Sequence, residues 1–239
     1  MAKYAFFLGI LATALIPLPG ADLAAAEVEI ALEAELANKI QAPMVIADSE
    51  DVKAFDPPVV PDEPSNGKFV WHPGKPVTGG GGSGFVEFII DLPKAGTYSA
   101  WGRVIAWDGN SDSLWVTWEP ADPAENPQQT QNVEFRWGTA QGPGWHWDRI
   151  NHWLDGGTFD RQWEFDKGET KLKIWSREDA TMLDCLFITT SPGADPALAE
   201  VREPTEEDID LQITGARGKA VEAAGKLSTT WGRLRSQYR

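Results

Sequence analysis

Between residues 28 and 190 apolar side chains return at every second position. Val86, Phe88, Ile90 and Leu92 alternate with Glu87 and Asp91 and run into the turn Pro93-Lys94-Ala95-Gly96. That alternation marks a strand with one face toward a core and the other toward water. Shorter runs of the same kind occupy residues 30–35, 69–71, 98–106, 114–118, 133–137, 163–165, 172–175 and 183–188, separated by turns rich in Gly, Pro, Asn and Asp. No helical period and no fixed-length repeat interrupts them. The pattern predicts an all-β domain, an antiparallel β-sandwich or barrel.

Both ends differ from this body. Met1-Ala2-Lys3 precedes an apolar run that contains Pro17, and Ala24-Ala25-Ala26 follows. This is the layout of a secretory signal over residues 1–26, cut after Ala26, and the run is too short for a membrane span. The expected location is therefore the periplasm, the cell surface or the medium. The sandwich is assigned to residues 27–191. Residues 192–213 carry Pro192, Pro196 and Pro204 among many acids and read as an extended linker. Residues 214–239 turn basic, with Leu227, Trp231 and Leu234 at helical spacing, and read as a short amphipathic helix. That tail would dock on its own acidic domain or on a protein partner.

Charge narrows the partners. With 21 Lys and Arg against 36 Asp and Glu, the formal charge of the 239-residue chain is −15, which repels phosphate backbones and anionic lipid and disfavours nucleic acid. One cysteine, Cys185, forbids an internal disulfide framework and fits a core position in a strand. The outlying number is 12 tryptophans beside three tyrosines and three histidines. So many indoles suit an aromatic core, stacking platforms for a ring-shaped ligand, or both.

Strand parity distributes the loops. In an antiparallel sandwich successive connections leave at alternate ends, so residues 72–84, 107–112, 138–155 and 177–181 share one end, and residues 93–97, 119–132 and 166–169 the other. The first set holds His72, Trp107, Asp108, Asn110, Asp112, Trp145, His146, Trp147, Asp148, Trp153, Arg177 and Glu178. The second is mainly Pro, Ala, Gln and turn residues. A sugar offers a weakly polar C–H face, which an indole covers, and hydroxyl groups, which Asn, Asp and Arg bond. The expected saccharide rim is therefore Trp107, Asn110, Asp112, Trp145, His146, Trp147, Asp148 and Arg177. Each can equally serve as a lid on the end of the sandwich.

Several short motifs follow one another along the chain: Leu32-Glu33-Ala34-Glu35, Asn66-Gly67-Lys68-Phe69-Val70, the glycine run at residues 79–84, Leu92-Pro93-Lys94-Ala95-Gly96-Thr97-Tyr98, Arg177-Glu178-Asp179 and Leu183-Asp184. In order and spacing they resemble carbohydrate-binding modules of families six and thirty-five. The likeness covers residues 30–190, and Ala180 departs from it where related sequences usually have glycine. The resemblance implies a β-jelly roll, a carbohydrate ligand, no catalysis and a structural Ca²⁺ held by Glu33, Glu35 and Asp184. The chemistry agrees, since Ca²⁺ takes six to eight oxygens and converging carboxylates repel without a cation. Glu33 and Glu35, two apart on one strand, would project from one face.

Other chemistries are weaker in the sequence. His146 and His152 with Asp148 between them match no tetrahedral zinc spacing. A polysaccharide lyase would pair a base with a cation, for which His146 and Arg149 are the candidates, and paired acids for glycoside hydrolysis occur on every loop. There is no Gly-x-Ser-x-Gly elbow. The expectation is an exported, calcium-stabilised, non-catalytic carbohydrate-binding sandwich. A glycan-cleaving enzyme, and a surface or assembly protein using the sandwich for protein contacts, are the alternatives.

Overall fold

The alternation is realised as two antiparallel sheets packed face to face. The computed structural model describes residues 27–54, 62–74, 83–190 and 201–215; the expected signal segment 1–26, most of the glycine run and the basic tail from residue 216 lie outside the described residues. The strands are β1 (Glu29–Glu33), β2 (Lys39–Gln41), β3 (Val45–Ala47), β4 (Phe69–Trp71), β5 (Phe85–Leu92), β6 (Gly96–Ala106), β7 (Ser113–Glu119), β8 (Arg136–Gly138), β9 (Gly142–Arg149), β10 (Asn151–Leu154), β11 (Gly157–Asp160), β12 (Trp163–Phe165), β13 (Gly168–Ser176) and β14 (Met182–Thr189). Two helices are described, α1 (Pro127–Thr130) and α2 (Glu206–Thr214). The first sheet runs β12-β6-β14-β4-β3, with β1 also on β14 and β9 also on β6; the second runs β2-β5-β13-β7-β8.

Register places the alternating residues on the shared inner faces. Phe88 pairs with Leu172 and Leu172 with Trp118, while Val86 pairs with Ile174 and Ile174 with Val116. From the other sheet, Ile30 lies opposite Ile188, and Ile188 opposite Ala100. All of these side chains are buried in one continuous core with Tyr98, Trp137 and Trp163. Seven tryptophans, Trp71, Trp101, Trp115, Trp118, Trp137, Trp163 and Trp175, are at most 6% exposed, so most of the indole content is core. Several of their N–H groups find the partners that burial requires: Trp118 donates to Thr170 Oγ1 at 3.0 Å, Trp163 to Asp122 Oδ2 at 3.0 Å and Trp175 to Thr117 Oγ1 at 3.1 Å.

Four expectations are corrected. Residues 138–155 are not a loop, because β9 pairs with β6 from Trp101–Arg149 to Ala106–Gly142 and β10 forms a hairpin with β11. The run of indoles and histidine there is itself period-two and satisfies its backbone on a sheet edge. Residues 119–132 do not stay at the far end: the segment starts opposite Lys171 and runs back until Gln128 Nε2 donates to the carbonyls of Gly84 and Ser176 at 3.0 and 2.7 Å. Strand β1 stops at Glu33, so Glu35 sits in a 3-10 turn, Ala34–Leu36. The supposed linker contains α2, started by a capping box in which Thr205 and Asp208 exchange side-chain bonds, and three acids occupy its first turn. These signals outweigh the prolines upstream.

Candidate functional site

The sandwich opens between β8, an edge of the second sheet, and β9, an edge of the first. A cleft of about 310 Å³ lies there, lined by Asp112, Gly138, Thr139, Ala140, Asp148, Asn151, Trp153 and Thr158. Each wall has a local cause. Trp153 and Thr158 are a cross-strand pair of the β10–β11 hairpin and so share a face. Asn151, two residues before Trp153 on that face, fixes the hairpin to β8: its Nδ2 donates to Gly138 O at 2.8 Å and its Oδ1 accepts from Gly138 N at 3.2 Å. The indole of Trp153 then lies so close to β8 that a Cβ on Gly138 would be 3.0 Å from it. Arg136 Cζ stands 4.2 Å from the same ring centroid, a cation–π contact that orients the ring.

Asp148 closes the inner wall. Its Oδ1 accepts from Trp137 Nε1 at 3.0 Å and its Oδ2 from Ala140 N at 2.8 Å. Burial holds its carboxyl above the usual aspartate range despite these two donors and nearby His146. Asp112 enters from the opposite side, where Thr139 N donates to its carbonyl at 2.8 Å. Its Oδ2 accepts from Gln141 Nε2 at 2.8 Å, whereas its Oδ1 is buried and has no partner.

The expected rim residues are partly united and partly divided. Asp112 and Asp148 meet in the cleft. Arg177 stands beside it, paired with Glu178 and Ser113, with Cζ 5.5 Å from the ring centroids of both Trp115 and Trp153. Alternation along β9 sends Trp145 and Trp147 to the other face from Asp148. Trp145 donates to Asp62 O at 2.6 Å and packs edge-on to Phe69 at 5.4 Å. Trp147 packs on Ala31, Trp101, Phe187 and Val201. Trp107 is a lid, with its Nε1 on Ala180 O at 2.9 Å, and Asn110 is an exposed turn residue. His146 Nδ1 lies 3.0 Å from Gly144 O, and its Nε2 is buried without a partner. Arg149 reaches the outer face over Trp101, so it does not join His146 as a lyase pair. Trp153 is one of the residues named in the expected loop 138–155, Asn151 lies in the same loop without being singled out, and Thr158 falls outside it. The Asp155-Gly156 dipeptide between two short apolar runs is the hairpin signal that places all three.

On the outer face of the first sheet lies an acidic cluster. Register slips between Leu183 and Cys185 on β14, with Asp184 at the irregularity, so Asp184 and Cys185 both meet Glu33 of β1. One ligand atom from each of these three lies within 4.8 Å of the others, and all three residues are buried. It is the one such group among the described residues; Glu35 and the histidines are outside it. Glu33 Oε1 accepts from Ser65 Oγ at 2.7 Å, Glu35 Oε1 from Asn66 Nδ2 at 2.8 Å, and Asp184 Oδ2 from Arg103. The second oxygen of each carboxylate, Glu33 Oε2, Glu35 Oε2 and Asp184 Oδ1, is buried with no partner. Desolvation pushes Glu33 to about 8, Glu35 to about 7 and Asp184 to about 6. Burial and the neighbouring acids push the Cys185 thiol well up, so it stays neutral. The orphaned oxygens of Glu33 and Asp184 are hard donors of the kind a hard cation takes, and Glu35 offers a third from outside that group.

The sequence matches no protein-family profile and no curated protein. Among solved structures, a β-(1,4)-mannanase from Podospora anserina described as GH26-CBM35 matches with a TM-score of 0.46 and 14% identity, over 70% of this chain and 29% of its own. A family 35 carbohydrate binding module from Clostridium thermocellum matches with a TM-score of 0.43 and 12% identity, over 69% of this chain and 98% of its own. The C-terminal CBM6 of a laminarinase from Zobellia galactanivorans gives 0.40 and 14%, over 68% and 99%. This chain spans less than a third of the mannanase. The two-sheet antiparallel architecture itself agrees with the β-sandwich expected from the sequence.

Proposed function

We propose that this chain is an exported, non-catalytic carbohydrate-binding domain whose saccharide site is the cleft between β8 and β9. The observation that carries the reading is Asp112 Oδ1, a buried carboxylate oxygen without a partner, in a cleft bordered by the Trp153 indole. A sugar brings both complements, a hydroxyl to donate to Asp112 and C–H surface to lie against the ring. A buried acceptor left unmet costs about 1–3 kcal/mol, so such an oxygen selects ligands that donate to it. The cleft is at the small end of the range for ligand sites, which suits one or two sugar rings.

Absence of turnover is supported by Asp148. Both of its oxygens are committed as acceptors to Trp137 and Ala140, which leaves Asp112 as the other carboxylate among the lining residues. Hydrolysis of a glycosidic bond calls for two carboxyl groups able to exchange protons or attack. Export is supported by the pattern of residues 1–26.

The same proposal gives Glu33, Glu35 and Asp184 a structural Ca²⁺. The cation would neutralise these carboxylates and tie the end of β1 to β14. The neutral thiol of Cys185 would not compete for a hard ion.

A glycan array with the intact chain tests the reading, with reducing-sugar and unsaturated-product assays on the glycans that bind. Binding without product is the expected result. Product formation would replace it with a glycan-cleaving enzyme, and a blank array would favour a protein-contact role.

A further inference from the structure

The C-terminal segment 201–215 lies over the acidic cluster. Val201 is 7% exposed in the apolar patch of Ala31, Trp101 and Phe187. Arg202 reaches Glu29 with Nε at 3.4 Å and Asp208 with Nη1 at 2.6 Å, binding the start of the segment both to β1 and to α2. Next in sequence, Glu203 pairs with Arg103 Nη2 at 3.2 Å, while Nη1 of the same guanidinium holds Asp184. At the far end, Gln212 grips the main chain of Glu33 from both sides. Its Oε1 accepts from Glu33 N at 2.8 Å and its Nε2 donates to Glu33 O at 3.0 Å. Glu33, Asp184 and Cys185 have no exposure at all.

We propose that residues 201–215 form a strap whose docking is coupled to occupation of the cation site beneath it. The proposal rests on the calcium reading above and adds the strap's own residues to it. Two contacts transmit the coupling. Gln212 fixes the residue where β1 ends, and so positions the Glu33 carboxylate. Glu203 shares Arg103 with Asp184; without it, the full guanidinium charge would oppose an arriving cation. An ion at the buried oxygens can exchange only when the strap lifts. Coupling of this kind is reciprocal: whatever the strap adds to calcium affinity, calcium adds to strap docking by the same factor.

The test uses the full chain. Calorimetry measures calcium binding to the intact protein, to Gln212→Ala and to Glu203→Gln. Hydrogen exchange with mass spectrometry follows residues 201–215 with calcium and with chelator, and β13 reports that each variant is folded. Calcium should slow exchange in the strap at least several-fold while leaving β13 unchanged. Gln212→Ala, which removes two hydrogen bonds, should weaken calcium binding about tenfold, and Glu203→Gln should weaken it in the same direction. Unchanged strap exchange, together with unchanged affinity in both folded variants, overturns the strap while the calcium site stands. If the intact chain binds no calcium, the calcium reading fails and the strap proposal fails with it.

Discussion

Removing calcium at different pH values perturbs the acidic cluster in a way whose sign is fixed by the structure. Carboxylates ordinarily titrate near pH 4, whereas in the folded chain Glu33 is raised to about 8, Glu35 to about 7 and Asp184 to about 6, burial being the largest cause in each. At intermediate pH the folded chain therefore holds protons that the unfolded chain releases. Without a cation, stability grows as pH falls from about 8 toward 4, the folding equilibrium shifting about tenfold per pH unit for each group while it is protonated only in the fold. Calcium takes the place of those protons and binds more tightly as pH rises. At a calcium concentration a hundred times the dissociation constant the gain is about 2.7 kcal/mol, which is roughly 5–10 °C in melting temperature for a domain of this size. Thermal melts followed by circular dichroism, in calcium and in chelator at about pH 5 and pH 8, provide the readout. The difference between the two series isolates the cluster, because Asp208 and the two histidines His72 and His152, all held low, move stability the other way. Calcium should stabilise strongly at the higher pH and little at the lower. Identical melts in calcium and chelator at pH 8 would refute the reasoning.

Two further outcomes follow from named contacts. Asp148→Ala leaves the fully buried Trp137 Nε1 without an acceptor and should cost about 1–3 kcal/mol in urea unfolding; a change below about 0.5 kcal/mol would show that the bond across the cleft does not hold the two sheet edges together. Gly102→Ala would put a Cβ 2.4 Å from Trp137 Cη2 and 3.1 Å from Leu183 Cδ1. Overpacking of that kind costs about 1–3 kcal/mol or more, so the variant should melt lower than the parent, and an unchanged melting temperature would mean that the core opens more easily than its packing indicates.

The sheets were legible because alternation reports which face of a strand meets a core. The runs at residues 69–71 and 163–165 match β4 and β12. In β9 the same alternation is present, but Trp145, His146, Trp147 and Asp148 are all residue types that bind ligands and so resemble a binding loop. A loop would set the two indoles beside Asp148, whereas on the strand they occupy the opposite face. The hairpin of β10 and β11 was marked by Asp155-Gly156, and reading it would have brought Trp153 and Asn151 to the cleft. Ala180, noted as a departure from glycine, has a φ of 62°, which explains why glycine suits that position. The grip of Gln212 on Glu33 spans 179 positions, and local pattern carries no trace of a contact between such distant residues. The capping box at Thr205 and Asp208 was readable, and prolines and acids upstream obscured it.

The cleft and the outer face of β9 give the sharpest test. Calorimetry of the best-binding glycan should show affinity reduced about tenfold or more in Asp112→Ala, the loss expected for one buried acceptor, and left near the parent value in Trp145→Ala and Trp147→Ala. Undiminished binding by the Asp112 variant, with loss in either tryptophan variant, would move the saccharide to the outer face of the first sheet and contradict the account.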